Sequence, residues 1–150
     1  MEILEGGVEL LSKIKETWEL LNEHHTEKSI FFKDRFRSFT FEKRKLALIE
    51  RTKKGILYVL IAKKDNEIIG HCVSSILADQ GEIETVFVKP EYRKTGLGRI
   101  FMEKSMNWFE LNNISNINLM IAHGNEEVVP FYKKFGFLDA GIKLKYNKNK

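Results

Sequence analysis

The chain has 150 residues, 43% of them hydrophobic and 31% charged, a balance that excludes a disordered polymer and fits one domain burying about two thirds of its unfolded surface. Its net charge of +4 points only weakly to acidic partners, because lysines gather in the run 143–150, where a solvated end accounts for them. A single cysteine, Cys72, excludes an internal disulfide, no apolar run reaches the roughly 18 residues of a membrane span, and the start MEILEGGVEL lacks the features of a secretory signal; a cytoplasmic protein that does not enter a membrane is expected.

Leu10, Leu11, Ile14, Trp18 and Leu21 recur at spacings of three and four and predict a helix over residues 8–23 with one buried face. After a polar break at 22–29, the phenylalanines 31, 32, 36, 39 and 41 and then Leu46, Leu48 and Ile49 predict one or two further helices. Residues 56–62 form an apolar, β-rich run, 63–67 a polar turn, and 68–77 a second strand, hence a β-hairpin. A turn at 78–81 leads to a third strand over 82–88, which Pro90 ends. Then come a helix over 97–111, a short strand over 117–122, a helix over 125–134 stopped by Gly136, and a last strand over 137–146. This order describes a single α+β domain over 1–150: a mixed, mostly antiparallel sheet flanked by helices, with a β-α-β crossover around the 97–111 helix.

The crossover begins at Arg93-Lys94-Thr95-Gly96-Leu97-Gly98. Backbone N–H groups between a strand and a helix N-terminus converge on an anion, helped by the helix dipole. Gly96 and Gly98 are expected to supply positive φ and close approach, and Arg93, Lys94 and Arg99 to add charge against phosphate oxygens. No Gly-Lys-Ser/Thr follows and no third glycine is present, so nucleoside triphosphates and dinucleotides are disfavoured. The aromatic residues sit at core-like spacings rather than interleaved with basic ones, which argues against a nucleic-acid module.

The stretch Val86-Phe87-Val88-Lys89-Pro90-Glu91-Tyr92-Arg93-Lys94-Thr95-Gly96-Leu97-Gly98 resembles the acetyl-CoA signature of the GNAT superfamily of N-acetyltransferases, and residues 125–137, Asn-Glu-Glu-Val-Val-Pro-Phe-Tyr-Lys-Lys-Phe-Gly-Phe, resemble its later motif. The resemblance covers about residues 56–146. It departs at Pro130, where a small helix former is usual and a kinked helix start is expected. It implies acetyl-CoA as co-substrate, no metal, and acetyl transfer to an amine. A small, polyamine-like molecule is the preferred acceptor; a protein lysine or N-terminus is the alternative, and a non-catalytic acetyl-CoA sensor a further one. A homodimer is also common among such proteins, although the sequence displays no interface.

By the same resemblance the strand before the loop bulges and splays, leaving main-chain groups of Val86, Phe87 and Val88 to pair with pantetheine. The loop from Arg93 to Arg99 holds the diphosphate, while Asn125, which should also cap its helix, and Phe131 line the cofactor arm. Tyr132 occupies the position of the acid that protonates the leaving thiolate. Amine acetylation also needs a proton acceptor. Glu84 is preferred for it, on the diamine-type pattern, with Glu82 the histone-type alternative; two residues apart on one strand, they share a face. Either carboxylate could instead bind a cationic amine. His24, His25 and Phe31 lie where the acceptor pocket is shaped, the histidines as pocket wall or as partners of the helix C-terminal dipole rather than metal ligands. Nothing requires an acetyl-cysteine intermediate at Cys72, which reads as a small buried strand residue.

Overall fold

A computed structural model describes residues 1–148. One five-stranded sheet has the order β1 (Glu2–Gly6), β2 (Gly55–Lys64), β3 (Glu67–Leu77), β4 (Gln80–Val88) and β5 (Asn116–Leu119). The first four strands pair antiparallel, and β5 lies parallel to β4. The connection from β4 to β5 is the expected crossover and carries α4 (Leu97–Leu111).

The hairpin between β2 and β3 turns on Asp65 and Asn66, whose φ values of 52° and 67° give the primed turn that matches strand twist. Side chains alternate along the sheet and divide the core into two layers. Leu60, Ala62, Cys72 and Ile76 face α4, which offers Leu97, Phe101, Met102 and Phe109. Leu57, Val59, Ile61 and Val73 face the N-terminal helical layer through Leu11, Ile14, Trp18, Phe41 and Leu48. That layer comprises a 3-10 segment (Val8–Ile14), α1 (Lys15–Lys28), α2 (Lys33–Ser38) and α3 (Phe41–Arg51), the last capped by the Thr40 hydroxyl accepting from Lys43 N (3.2 Å). The expected helix over 8–23 thus starts as a tighter 3-10 coil and continues five residues past its expected end.

The sheet departs from the expected one in two places. Strand β1 was not foreseen, since five residues carry too little alternation to be read. Conversely, the strand expected over 137–146 does not form: after α5 (Val129–Lys133) the chain runs on without joining the sheet, and Leu138, Ile142, Leu144 and Tyr146 are 80–90% exposed. Its period-2 pattern suits a strand, yet among the described residues no strand of the sheet pairs with it.

Candidate active site

The register of β4 positions the site. Val73 lies opposite Thr85 and Ser74 opposite Ile83, so Glu84 has no opposite number and forms a bulge. The extra residue resets the alternation. Ile83, Val86 and Val88 pack with the α4 core, whereas Glu84 and Thr85, adjacent in sequence, both reach the helical layer that holds α1 and α3. Next to β5, β4 pairs only through Gln80–Ile83. Beyond Ile83 the two strands part, and residues 84–88 of β4 have no strand beside them on that side among the described residues. The stretch includes Val86, Phe87 and Val88, the residues around which a splayed edge is expected.

The loop after β4 closes onto this edge. A 3-10 turn (Pro90–Tyr92) precedes it, Arg93 Nε donates to Val88 O (2.9 Å) while its guanidinium lies 5.5 Å from the Phe87 ring, and Thr95 Oγ1 donates to Tyr92 O (2.6 Å). Gly96 has φ 88° and caps α4 with no side-chain hydrogen bond, so the first-turn amides of a 15-residue helix stay open to an anion. Gly98, expected to share that positive φ, is instead helical; a Cβ there would come within 3.2 Å of Phe131 Cζ, so its small size admits the ring. Lys94 adopts the left-handed conformation in its place (φ 63°). Arg99 is engaged with Glu103 Oε1 (2.6 Å) on the exposed helix surface, and Leu97 is buried in the core below the loop.

On the far side stands the 122–137 segment, a 3-10 turn (Glu126–Val128) followed by α5 with Pro130 near its start. The expected helix over 125–134 is broken into these two pieces, as the missing proline N–H and fixed φ favour. Asn125 does not cap with its side chain. Its Oδ1 accepts from His24 Nε2 (3.1 Å), and Glu126 caps the turn by accepting from Gly124 N (2.9 Å). The loop is pressed onto the end of α1: a Cβ on Gly124 would lie 2.1 Å from Lys28 O, and Lys28 Nζ sits 3.4 Å from Glu127 Oε1. Tyr132 packs edge-on against Phe131 at 5.1 Å, and burial pushes its phenol well above the ordinary range, with Cys72 a lesser influence.

The two β4 glutamates differ sharply. Glu84 has a side chain only 2% exposed. Arg44 Nη2 donates to its Oε1 (3.1 Å) and to its carbonyl (2.9 Å), Arg51 Nε lies 3.0 Å from Oε2, and Ser75 Oγ donates to Oε2 (2.6 Å). Glu82 is 37% exposed and has the more distant Arg51 Nη2, 3.4 Å from its Oε2. Burial, then the Glu84 charge, raise the Glu82 carboxyl above its usual value, against the opposing pull of Arg51 and Arg44. The arginines were not foreseen. Their signal was present, seven residues apart on one predicted helix and therefore on one face.

His25 is packed beside Phe36 (5.6 Å), and burial with the neighbouring His24 lowers it to about 4. It is therefore neutral at pH 7 and does not serve as a charged partner of the helix dipole. Phe31 stacks on His123 at 5.7 Å and lines a groove of about 540 Å³ with α2 and the end of the chain. Cys72 is fully buried, 3.4 Å from Ser105 Oγ, and burial raises its thiol to about 11, which makes it a poor nucleophile. Among the described residues no cluster of three or more metal-ligating side chains occurs, and no helix is long and apolar enough to cross a membrane.

The acetyltransferase (GNAT) family model matches residues 15–137, which take in β4, the loop after it, α4 and α5. The chain belongs to the GNAT family. A putative [ribosomal protein bS18]-alanine N-acetyltransferase of Bacillus subtilis is 28% identical over 89 residues, 59% of this chain and 59% of that protein. The chain thus spans under two thirds of the curated relative's length in the match. Among solved structures, the PaiA N-acetyltransferase of Thermoplasma acidophilum in complex with coenzyme A superposes with a TM-score of 0.70 at 20% identity, covering 95% of this chain and 94% of that one. The aminoglycoside acetyltransferase meta-AAC0020 from an uncultured soil metagenomic sample, in complex with sisomicin, gives 0.69 at 14% identity, covering 97% and 95%. These GNAT structures share the fold: the five-stranded, mostly antiparallel sheet and its flanking helices.

Proposed function

We propose that this GNAT chain transfers the acetyl group of acetyl-CoA to a primary amine by direct attack in a ternary complex, in the cytoplasm. The observation that carries the reading is the juxtaposition of uncapped first-turn amides on α4 with the unpaired edge of β4: the first suits a diphosphate, the second an extended amide-containing arm. When bound, the thioester supplies the activated acetyl group. The diphosphate falls to the amides near 96–98, helped by Arg93, Lys94 and Thr95, and the arm to Val86, Phe87 and Val88, with Asn125 and Phe131 at its side.

Two protons leave the acceptor nitrogen and one goes to sulfur, so the net reaction from an ammonium releases one proton. Glu82 takes the first. It is the accessible carboxylate of the pair, whereas Glu84 is occupied by two guanidinium groups and a hydroxyl. Tyr132 holds its proton at neutral pH, because burial disfavours the phenolate, and yields it to the departing sulfur as the carbon–sulfur bond breaks and the carbon–nitrogen bond forms. Tyr132 recovers that proton from the second one lost by nitrogen.

The preferred acceptor is a small molecule bearing a primary amine. A protein N-terminus is the second reading, favoured by the Bacillus subtilis relative's name. Turnover of spermidine, sisomicin and a short peptide beginning with alanine, followed through release of CoA thiol, separates these readings. Tight CoA binding with no thiol release from any amine would favour a sensor and refute catalysis.

A further inference from the structure

Arg51 is the residue that reaches both β4 carboxylates, Nε at 3.0 Å from Glu84 Oε2 and Nη2 at 3.4 Å from Glu82 Oε2. The rest of the cluster is asymmetric. Arg44 and Ser75 add their hydrogen bonds to Glu84 alone, and Glu84, the residue without an opposite number on β3, lies against the helical layer from which both arginines reach it. Because a planar guanidinium presents its donors in a fixed fork, Arg51 constrains the separation and orientation of the two carboxylates together. The charged groups facing Glu82 are Glu84 on its own strand and Arg51 and Arg44 on α3. Asn118 of β5, which pairs with it across the sheet, is uncharged.

We propose that Arg51 is a positioning residue for acetyl transfer: its guanidinium spans the pair, fixes the Glu84 side chain in place, and leaves Glu82 as the carboxylate that exchanges a proton with the acceptor. This rests on the acetyl-transfer reading for its purpose but not for its geometry. Glu84 and Arg51 then act on Glu82 in opposite senses. The anion favours the protonated form of Glu82 and the cation the ionised form.

The test is a carboxyl-detected NMR titration of the protein labelled at glutamate side chains, with Glu82→Gln identifying the signal by its loss. Arg51→Met is expected to raise the Glu82 midpoint by about one pH unit, a tenfold change in proton affinity, and Glu84→Gln to lower it. Arg51→Lys, which keeps the charge but cannot fork, should raise it by about half as much and serves if Arg51→Met does not fold. The acidic limb of kcat/KM, on whichever of spermidine, sisomicin or the alanine peptide is turned over, should move with the midpoint. A midpoint unmoved or lowered in the folded Arg51 variants overturns the proposal, as does an acidic limb that stays while the midpoint moves. The titration needs neither acceptor nor CoA, so failure to bind CoA would overturn the proposed function and leave the test of the cluster intact.

Discussion

Replacing each β4 glutamate by glutamine separates a carboxylate that works from one that supports. The Glu84 side chain is 2% exposed, receives hydrogen bonds from Arg44 and Ser75, and is ion-paired with Arg51. In Glu84→Gln one oxygen becomes an NH2 that cannot accept, and the remaining amide oxygen is uncharged. Two charge-assisted hydrogen bonds, each about 1.5–3 kcal/mol, are weakened. Arg44 and Arg51 are 19% and 37% exposed, so water restores part of the loss, and a destabilisation of about 2–3 kcal/mol is expected. For a chain of this length that lowers Tm by about 5–10 °C. Glu82→Gln removes one partly exposed contact. Since its carboxyl is raised in the folded protein, ionisation opposes folding, and the variant should gain on the wild type as pH climbs through the carboxyl range. Its acetyl transfer should fall by about 10²–10⁴. Thermal melts and steady-state kinetics of both variants are the assay. If Glu84→Gln melts with the wild type, or Glu82→Gln retains full activity, the division of roles is wrong.

Tyr132→Phe should lower kcat by about 10²–10³ with CoA affinity unchanged by calorimetry, since the ring stays and only the proton donor goes; weaker CoA binding alone would point to a packing role. Gly124→Ala sets a Cβ against Lys28 O at a φ of 102° and should cost about 2–4 kcal/mol in chemical denaturation, parting α1 from the 122–127 loop; stability within about 0.5 kcal/mol of wild type would refute that contact. His71 bridges the layers: Thr17 gives its hydroxyl proton to Ile14 O and accepts from His71 Nδ1 (2.7 Å), while Nε2 accepts from Thr85 Oγ1 (2.9 Å). Burial lowers His71 from 6.5 to about 3 and His25 from 6.5 to about 4. The unfolded chain therefore binds the extra protons, and stability should be fullest above pH 6.5 and decline as pH falls toward 4; a flat stability profile over that window would contradict the buried neutral imidazoles.

Much of this architecture was legible because the residues concerned declare their surroundings locally. Met102, Met106 and Phe109 recur at helical spacing, Asp65-Asn66 is a turn by its own backbone preferences, and the glycines of the run from Arg93 to Gly98 mark a strand–helix junction. What escaped depends on contacts distant in sequence. Glu84 looked like the working carboxylate because nothing near it in the chain shows that Arg44 and Arg51, 40 and 33 positions earlier, would meet it. Asn125 looked like a cap because its rival partner, His24, is 101 residues away. Gly98 promised positive φ, yet its size is required by a ring from another helix. The 137–146 segment carries a strand's alternation, and pairing, which alternation alone cannot supply, decided its fate.

In the proposed function, main-chain amides at the start of α4 hold the diphosphate of CoA. Titration calorimetry of CoA against the wild type, Gly96→Asp and Gly98→Asp, each shown to be folded by circular dichroism, tests it directly. Binding by the wild type is expected, with a loss of about 100-fold or more in Gly96→Asp, where a carboxylate would stand beside the first-turn amides, and in Gly98→Asp, where the added side chain would meet the Phe131 ring. No measurable affinity in the wild type, or affinity untouched by the two substitutions, would contradict it.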